Sequence, residues 1–224
     1  MYSVAKKSTL RYHTHMDSII AVWKPVGPTS NDVVQQIKRA TGAQKVGHAG
    51  TLDPLAEGVL VIGLDAGTKQ LSEMVAKEKE YRATIRLGME STTDDAEGEK
   101  TVIQDDPRLS AEKIKTVLTK FEGDILQTPP IYSAIKVQGK EAYKLARKGK
   151  DVQLAPRPVV IKKIELVSFE WPTLIIDVTT GPGVYIRALA RDMGRELGTG
   201  GYLAGLIRTR VGEFTQEKCH DILR

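Results

Sequence analysis

The 224-residue chain is predicted to fold as one domain that mixes strands and helices. Three stretches predict this. Gly58-Val59-Leu60-Val61-Ile62-Gly63-Leu64 is an unbroken apolar run bounded by turn residues, as in a strand buried on both faces. Lys79 to Leu87 alternates, with Tyr81, Ala83, Ile85 and Leu87 on one side and Glu80, Arg82, Thr84 and Arg86 on the other, as in a half-buried strand. Residues 110 to 122 place Ile114, Val117, Leu118 and Phe121 at helical spacing behind a Ser110 cap. These patterns alone permit many α/β arrangements.

In chain order, residues 1–16 form a polar basic arm, and residues 17–224 carry the domain. Ile19 to Trp23 is a short strand, Lys24-Pro25-Val26-Gly27-Pro28 turns the chain, and Ser30 is placed to cap a helix. That helix shows Val33, Val34 and Ile37 on one face and ends at Gly42. Thr68 is placed to cap a second helix through Met74 and Val75. Ser91 to Gly98 is a polar loop, and a basic helix is expected over Lys140 to Gly149. Arg157 to Phe169 and Thr173 to Thr179 read as two strands, joined as a hairpin across Glu170-Trp171-Pro172. A further helix offers Ile186, Leu189, Ala190, Met193 and Leu197 to the core, and Gly198 to Gly201 ends it.

Composition narrows the function classes. One cysteine, Cys219, excludes an internal disulfide and any cysteine-based zinc site, which suits a reducing cytoplasm. No apolar run nears the roughly 20 residues of a membrane span, so a cytoplasmic protein is expected. The net charge is +5, unevenly spread: Lys136, Lys140, Lys144, Arg147, Lys148, Lys150, Arg157, Lys162 and Lys163 crowd a stretch with only Glu141 and Asp151 between them. Such a block suits either a phosphate backbone or a solvated face.

The most informative stretch is Gly47-His48-Ala49-Gly50-Thr51-Leu52-Asp53-Pro54-Leu55-Ala56-Glu57-Gly58. It sets one carboxylate on a glycine- and proline-punctuated loop just before the apolar strand. That is a way to hold a reactive side chain still yet reachable. An Asp-Pro pair by itself only starts a turn. Here the surrounding pattern resembles the signature of the TruB family of tRNA pseudouridine synthases, whose Gly-x-Leu-Asp-Pro-x-Ala-x-Gly-x-Leu motif carries the catalytic aspartate. Further matches follow in order: Lys24-Pro25-x-Gly27-x-Thr29-Ser30; Lys79-x-Tyr81; Thr93-x-Asp95-Ala96-x-Gly98; Pro130-x-x-Ser133-Ala134-x-Lys136-x-x-Gly139; Gly183-x-Tyr185-Ile186-Arg187; and Leu206-x-Arg208-x-x-Val211-Gly212-x-Phe214. Trp23 departs from the Asp or Asn usual before that lysine. The resemblance covers about residues 18 to 214.

The resemblance implies a pseudouridine-synthase fold, α+β, with a mixed and mainly antiparallel sheet flanked by helices and a cleft across its middle. It implies isomerisation of uridine 55 in the TΨC loop of tRNA after base flipping, without metal or cofactor. Asp53 would be the nucleophile, Arg187 its guanidinium partner, Tyr81 the stacking and proton-relaying phenol, and Tyr185 a pocket wall. RNA contacts would come from His48, Lys24, Lys69 and Asp95, and from Lys136, Lys140, Lys144 and Arg147 on an RNA-gripping insertion at about 127–152. Lys69 fits an electrostatic role or an incidental surface lysine equally well. The C-terminal RNA-binding (PUA) domain usual in the family is expected to be absent, and the chain to act as a monomer without an obligatory protein partner. A tRNA-folding chaperone and a guide-dependent synthase subunit are the alternatives. Arg187, Arg191 and Arg195 share a helix face, and the last two read as surface solubilisers.

Overall fold

A computed structural model describes residues 18–104 and 109–222, leaving out positions 134, 138, 147, 150 and 151. The basic arm and Arg147 therefore lie outside the described residues. The strands are β1 (Ile19–Lys24), β2 (Val46–His48), β3 (Ala56–Leu64), β4 (Lys79–Leu87), β5 (Met89–Ser91), β6 (Lys100–Val102) and β7 (Gly123–Gln127). They continue with β8 (Lys136–Val137), β9 (Lys140–Glu141), β10 (Arg157–Glu170), β11 (Thr173–Thr180), β12 (Gly201–Val211), β13 (Phe214–Thr215) and β14 (Cys219–His220). The helices are α1 (Ser30–Thr41), α2 (Leu71–Ala76), α3 (Ala111–Thr119), α4 (Ala142–Ala146) and α5 (Ile186–Leu197).

One large sheet runs β14-β1-β3-β12-β4-β11-β10-β7, with β2 added beside β3 and β13 beside β12. Among the described residues of this sheet, β1–β14 and β3–β12 pair parallel and the other strand pairs antiparallel. The apolar run becomes β3, in which every residue except Glu57 is buried, because it has neighbours on both edges and both faces. The alternating stretch becomes β4, and its apolar side meets α5 and α3 in a core that includes Ile85, Ile114, Ile176, Leu189 and Met193. A second core packs α1 on Val22, Leu60 and Ile62.

Several local expectations are corrected. Thr29, not Ser30, caps α1: its hydroxyl accepts from the Asp32 amide while the Asp32 carboxylate accepts from the Thr29 amide. Ser30 is thereby freed for the interior. Thr68 sits within a 3-10 turn, Asp65–Gln70, and its hydroxyl donates to the Asp65 carbonyl; α2 starts only at Leu71. The expected basic helix shortens to α4, because Lys136–Val137 and Lys140–Glu141 pair as a hairpin ahead of it. Tyr185 is the N-cap residue of α5, with extended backbone, and Arg187 lies in the first helical turn.

One row of residues across the sheet ties the Asp53 loop to Tyr81. Gly58 of β3, just after that loop, pairs with Arg208 of β12, which pairs with Tyr81 of β4. Gly58 has φ of +122°, and a Cβ there would lie 2.3 Å from the Arg208 carbonyl oxygen, so no other residue fits the junction.

Candidate active-site cleft

Asp53 lies on the loop that enters β3, and that loop is fastened at several points. The buried Ser30 hydroxyl donates to the Leu52 carbonyl at 2.9 Å and accepts from the Leu52 amide at 2.8 Å. The Gly27 amide donates to the Pro54 carbonyl, and the Ala56 amide to the Asp53 carbonyl. The Lys24 ammonium is fully buried and donates to the carbonyls of Ala56 at 2.6 Å and Pro25 at 2.9 Å. Burial pushes the Lys24 ammonium below its ordinary pKa, and the nearby Asp53 charge opposes that shift. Arg208, buried beneath the same loop, donates from Nε to the Val59 carbonyl and from a terminal nitrogen to that of Gly50. Its Nε bond is 2.7 Å long.

The loop borders a cleft of about 900 Å³ that also receives Tyr81, Lys79, His48, Asp95, Tyr132, Arg157, Tyr185 and Arg187. At its centre the Arg187 Nε stands 2.9 Å from Asp53 Oδ2, and the Arg187 side chain is 8% exposed against 38% for Asp53. The rest of the guanidinium donates to the Tyr132 carbonyl at 2.9 Å, and to the Thr93 carbonyl and Asp95 Oδ2 at 3.3 Å each. Tyr81 is buried on β4, its phenol against the Arg208 guanidinium. Tyr185 is held through its backbone by the buried Gln127 amide and lies under the Arg157 guanidinium, 5.1 Å from ring centre to cation. His48 borders the cleft with Nδ1 buried and unpartnered, and burial together with Arg208 lowers its pKa.

The predicted residues divide accordingly. Asp53, Tyr81, Arg187, Tyr185 and His48 converge on one cleft. Asp95 lies there too; its buried carboxylate points at Arg187 and accepts from the Thr93 hydroxyl and the Glu97 amide. Lys24, expected as an RNA contact, is buried, with its ammonium on the carbonyls of Pro25 and Ala56. Lys69 is exposed on the 3-10 turn and does not line the cleft. Lys136 and Lys140 are exposed on the β8–β9 hairpin, and Lys144 pairs with Glu141 at 2.7 Å.

Sequence reasoning missed three contributors. Arg208 sits in the Leu-x-Arg motif, yet nothing in the motif says that its charge is buried. Lys79, two residues before Tyr81, is also buried, with its ammonium on the carbonyls of Val75 and Lys77, and burial beside Arg208 brings its pKa down to about 8. Arg191, read as a surface arginine, is 11% exposed and fully engaged.

Residues 38–186 match the family model described as "TruB family pseudouridylate synthase (N terminal domain)". The chain belongs to the TruB family of pseudouridylate synthases.

A relative from Corynebacterium diphtheriae named "tRNA pseudouridine synthase B" is 47% identical over 204 residues, which are 88% of this chain and 68% of that protein. One of the same name from Cutibacterium acnes is 45% identical, over 90% of this chain and 70% of its own. Among solved structures, a chain of "a Cbf5-Nop10-Gar1 Complex" superposes with a TM-score of 0.71 at 31% identity, covering 90% of this chain and 50% of that one. The TruB chain is thus an isomerase with the α+β pseudouridine-synthase fold. The family model ends at Ile186, so Arg187, Arg191 and Arg208 lie beyond the matched residues, and their roles rest on their geometry around the cleft.

Proposed function

We propose that the chain converts uridine 55 in the TΨC loop of tRNA to pseudouridine, with Asp53 as the nucleophile. The observation that carries this is the Asp53–Arg187 pair: a reachable carboxylate held by a buried guanidinium on the floor of a cleft with space for a nucleotide. A uridine inside a folded loop is out of reach, so the nucleotide is extruded into the cleft at a cost of a few kcal/mol. His48, on the cleft wall, is positioned to fill the space that the base leaves.

The reaction is an isomerisation. The N1–C1′ bond breaks, the base turns, C5 bonds to C1′, and the proton lost from C5 is balanced by one gained at N1. Asp53 Oδ attacks either C1′ of the ribose, displacing N1, or C6 of the uracil. In the first case C5 displaces the carboxylate from C1′; in the second the carboxylate is eliminated from C6 after C5 has joined C1′. Asp53 is thus regenerated, and both routes are redox-neutral. Tyr81 offers a flat face for the uracil and a hydroxyl that can carry the proton. Arg187 fixes the carboxylate, and Tyr185 closes the cleft wall.

The relatives named tRNA pseudouridine synthase B are nearer in sequence, at 45% and 47%, than the Cbf5 complex chain at 31%. This supports an enzyme that acts on tRNA over a guide-dependent subunit, and on the proposed reading the chain works as a monomer in the cytoplasm. The test is to incubate an unmodified tRNA transcript with wild type and with Asp53→Asn, then map pseudouridine nucleotide by nucleotide. Modification at position 55 by wild type alone supports the reading. Binding without modification by either protein indicates a chaperone or a missing partner, and equal activity of both removes Asp53 from the chemistry.

A further inference from the structure

Arg187 and Arg191 are one helical turn apart on α5, and both reach the same two segments of chain. The first is the turn at residues 93–95: Arg187 holds the Thr93 carbonyl and the Asp95 carboxylate, and Arg191 holds the Asp94 carboxylate at 2.8 Å. The second is the start of the basic insertion: Arg187 donates to the Tyr132 carbonyl and Arg191 to that of Thr128, at 2.9 and 2.8 Å. The Arg191 Nε is also occupied, 2.8 Å from Asp192. Asp94 has φ of +61°, a left-handed backbone that Asp adopts more readily than most residues, and the adjacent Asp94 and Asp95 carboxylates serve two separate guanidiniums.

We propose that Arg191 is a positioning residue for uridine isomerisation at Asp53, a role that rests on the functional reading of that carboxylate. Arg191 never touches the uridine. By pinning Asp94 and Thr128 it holds the turn so that Asp95, the Thr93 carbonyl and the Tyr132 carbonyl together fix Arg187 against Asp53. Without it, the Asp94 carboxylate loses its paired guanidinium, and the turn is left with the Asp94 carbonyl on the Leu203 amide, the Asp94 amide on the Ser91 carbonyl and the bonds to Arg187 itself. Arg187 then samples more than one orientation. Catalysis is sensitive to that: a misplacement near 1 Å costs on the order of 100-fold.

The test compares Arg191→Gln, Asp94→Asn, the double variant and Arg191→Lys with wild type. Single-turnover conversion of a tRNA transcript and its dissociation constant are measured for each. The expected result is a rate about 10- to 100-fold lower in Arg191→Gln with tRNA affinity within about twofold. A smaller loss is expected in Asp94→Asn, and the double variant should be no slower than Arg191→Gln, because the pair acts as a unit. Arg191→Lys should regain part of the rate through the charge on Asp94. Ile114→Val, in the core on α3, should lower Tm yet keep the wild-type rate.

Wild-type rates in both single variants, or losses confined to affinity, overturn the proposal. So does an Ile114→Val variant as slow as Arg191→Gln, since general loosening would then explain the loss. If Arg191→Gln does not fold, Asp94→Asn decides by the same criteria. Wild type that forms no pseudouridine removes the functional reading and this one with it; active wild type with unaffected variants removes this one alone.

Discussion

Arg187 and Asp53 meet across 2.9 Å in an asymmetric pair: the guanidinium is almost wholly buried, and the carboxylate is more than a third exposed. The cation is therefore the fixed partner. Its remaining nitrogens are taken by Asp95, the Thr93 carbonyl and the Tyr132 carbonyl, which leave it one direction in which to present Nε. A substrate can approach Asp53 without displacing what orients it.

Arg187→Lys follows from that asymmetry. An ammonium keeps the charge but cannot span Asp53, Asp95 and two carbonyls at once, because its donors radiate from one point instead of a planar fork. Single-turnover pseudouridine formation should fall by about 100-fold or more, the scale of a misplaced reacting group, while tRNA affinity changes little. An affinity loss that accounts for the whole effect would assign Arg187 to RNA binding.

Asp95→Asn separates support from contact. Both side chains of the Asp95–Arg187 pair are at most 8% exposed, so removing the Asp95 charge leaves the buried Arg187 with the more exposed Asp53 as its carboxylate partner. Losing a charge-assisted bond of this kind costs about 1.5–3 kcal/mol, or roughly 3–12 °C in Tm for a domain of this size. Calorimetry should show that drop, together with a slower reaction. A stable Asp95→Asn variant with weakened tRNA binding would instead restore the RNA contact implied by the family motif.

Much of this site was legible because its residues fall in short motifs around one loop. Asp53, Tyr81 and Arg187 are separated by 28 and 106 positions in sequence, yet each is anchored by a local signal: a glycine-bounded loop, an alternating strand, the turn before a helix. What the motifs could not show is the direction in which a charge points. Lys24 and Lys69 look alike as sequence, but one ammonium is sealed on carbonyls and the other faces solvent. Arg191 and Arg195 share a helix face, yet Arg191 meets two loops that arrive from elsewhere in the chain, whereas Arg195 is exposed and pairs with Glu90. Burial of a charge is decided by tertiary neighbours. The basic helix was shortened for a related reason: strand pairing with Lys136–Val137 takes Lys140 and Glu141 although both are good helix formers, so pairing overrides local propensity.

On the proposed reading the basic block grips a phosphate backbone, so tRNA binding should be steeply salt-dependent. A plot of log affinity against log salt should be linear, and Lys136→Ala or Lys140→Ala should each reduce its slope by about 1. Lys144→Ala should do less, because Glu141 already holds that ammonium at 2.7 Å. Equal affinity from low to high salt would remove this surface from the binding site.

The buried Lys79 gives a pH signature that a surface lysine cannot. Its ammonium titrates near about 8 in the folded protein, because of burial and the Arg208 charge, against 10.5 for the free side chain. The folded pKa is the lower one, so between pH 8 and 10.5 the unfolded chain binds the extra proton, and stability rises with pH across that window. The charged form is disfavoured by on the order of 3 kcal/mol, which is present as a penalty below pH 8 and relieved above it. Lys79→Met lacks this titration, and the other groups cancel in the comparison. Denaturant unfolding of both proteins from about pH 7 to about pH 10 should therefore show wild type gaining on Lys79→Met as the pH climbs past 8. A constant difference between the two would mean that Lys79 keeps an ordinary lysine pKa, and that the ammonium on the Val75 and Lys77 carbonyls is better solvated than its burial implies.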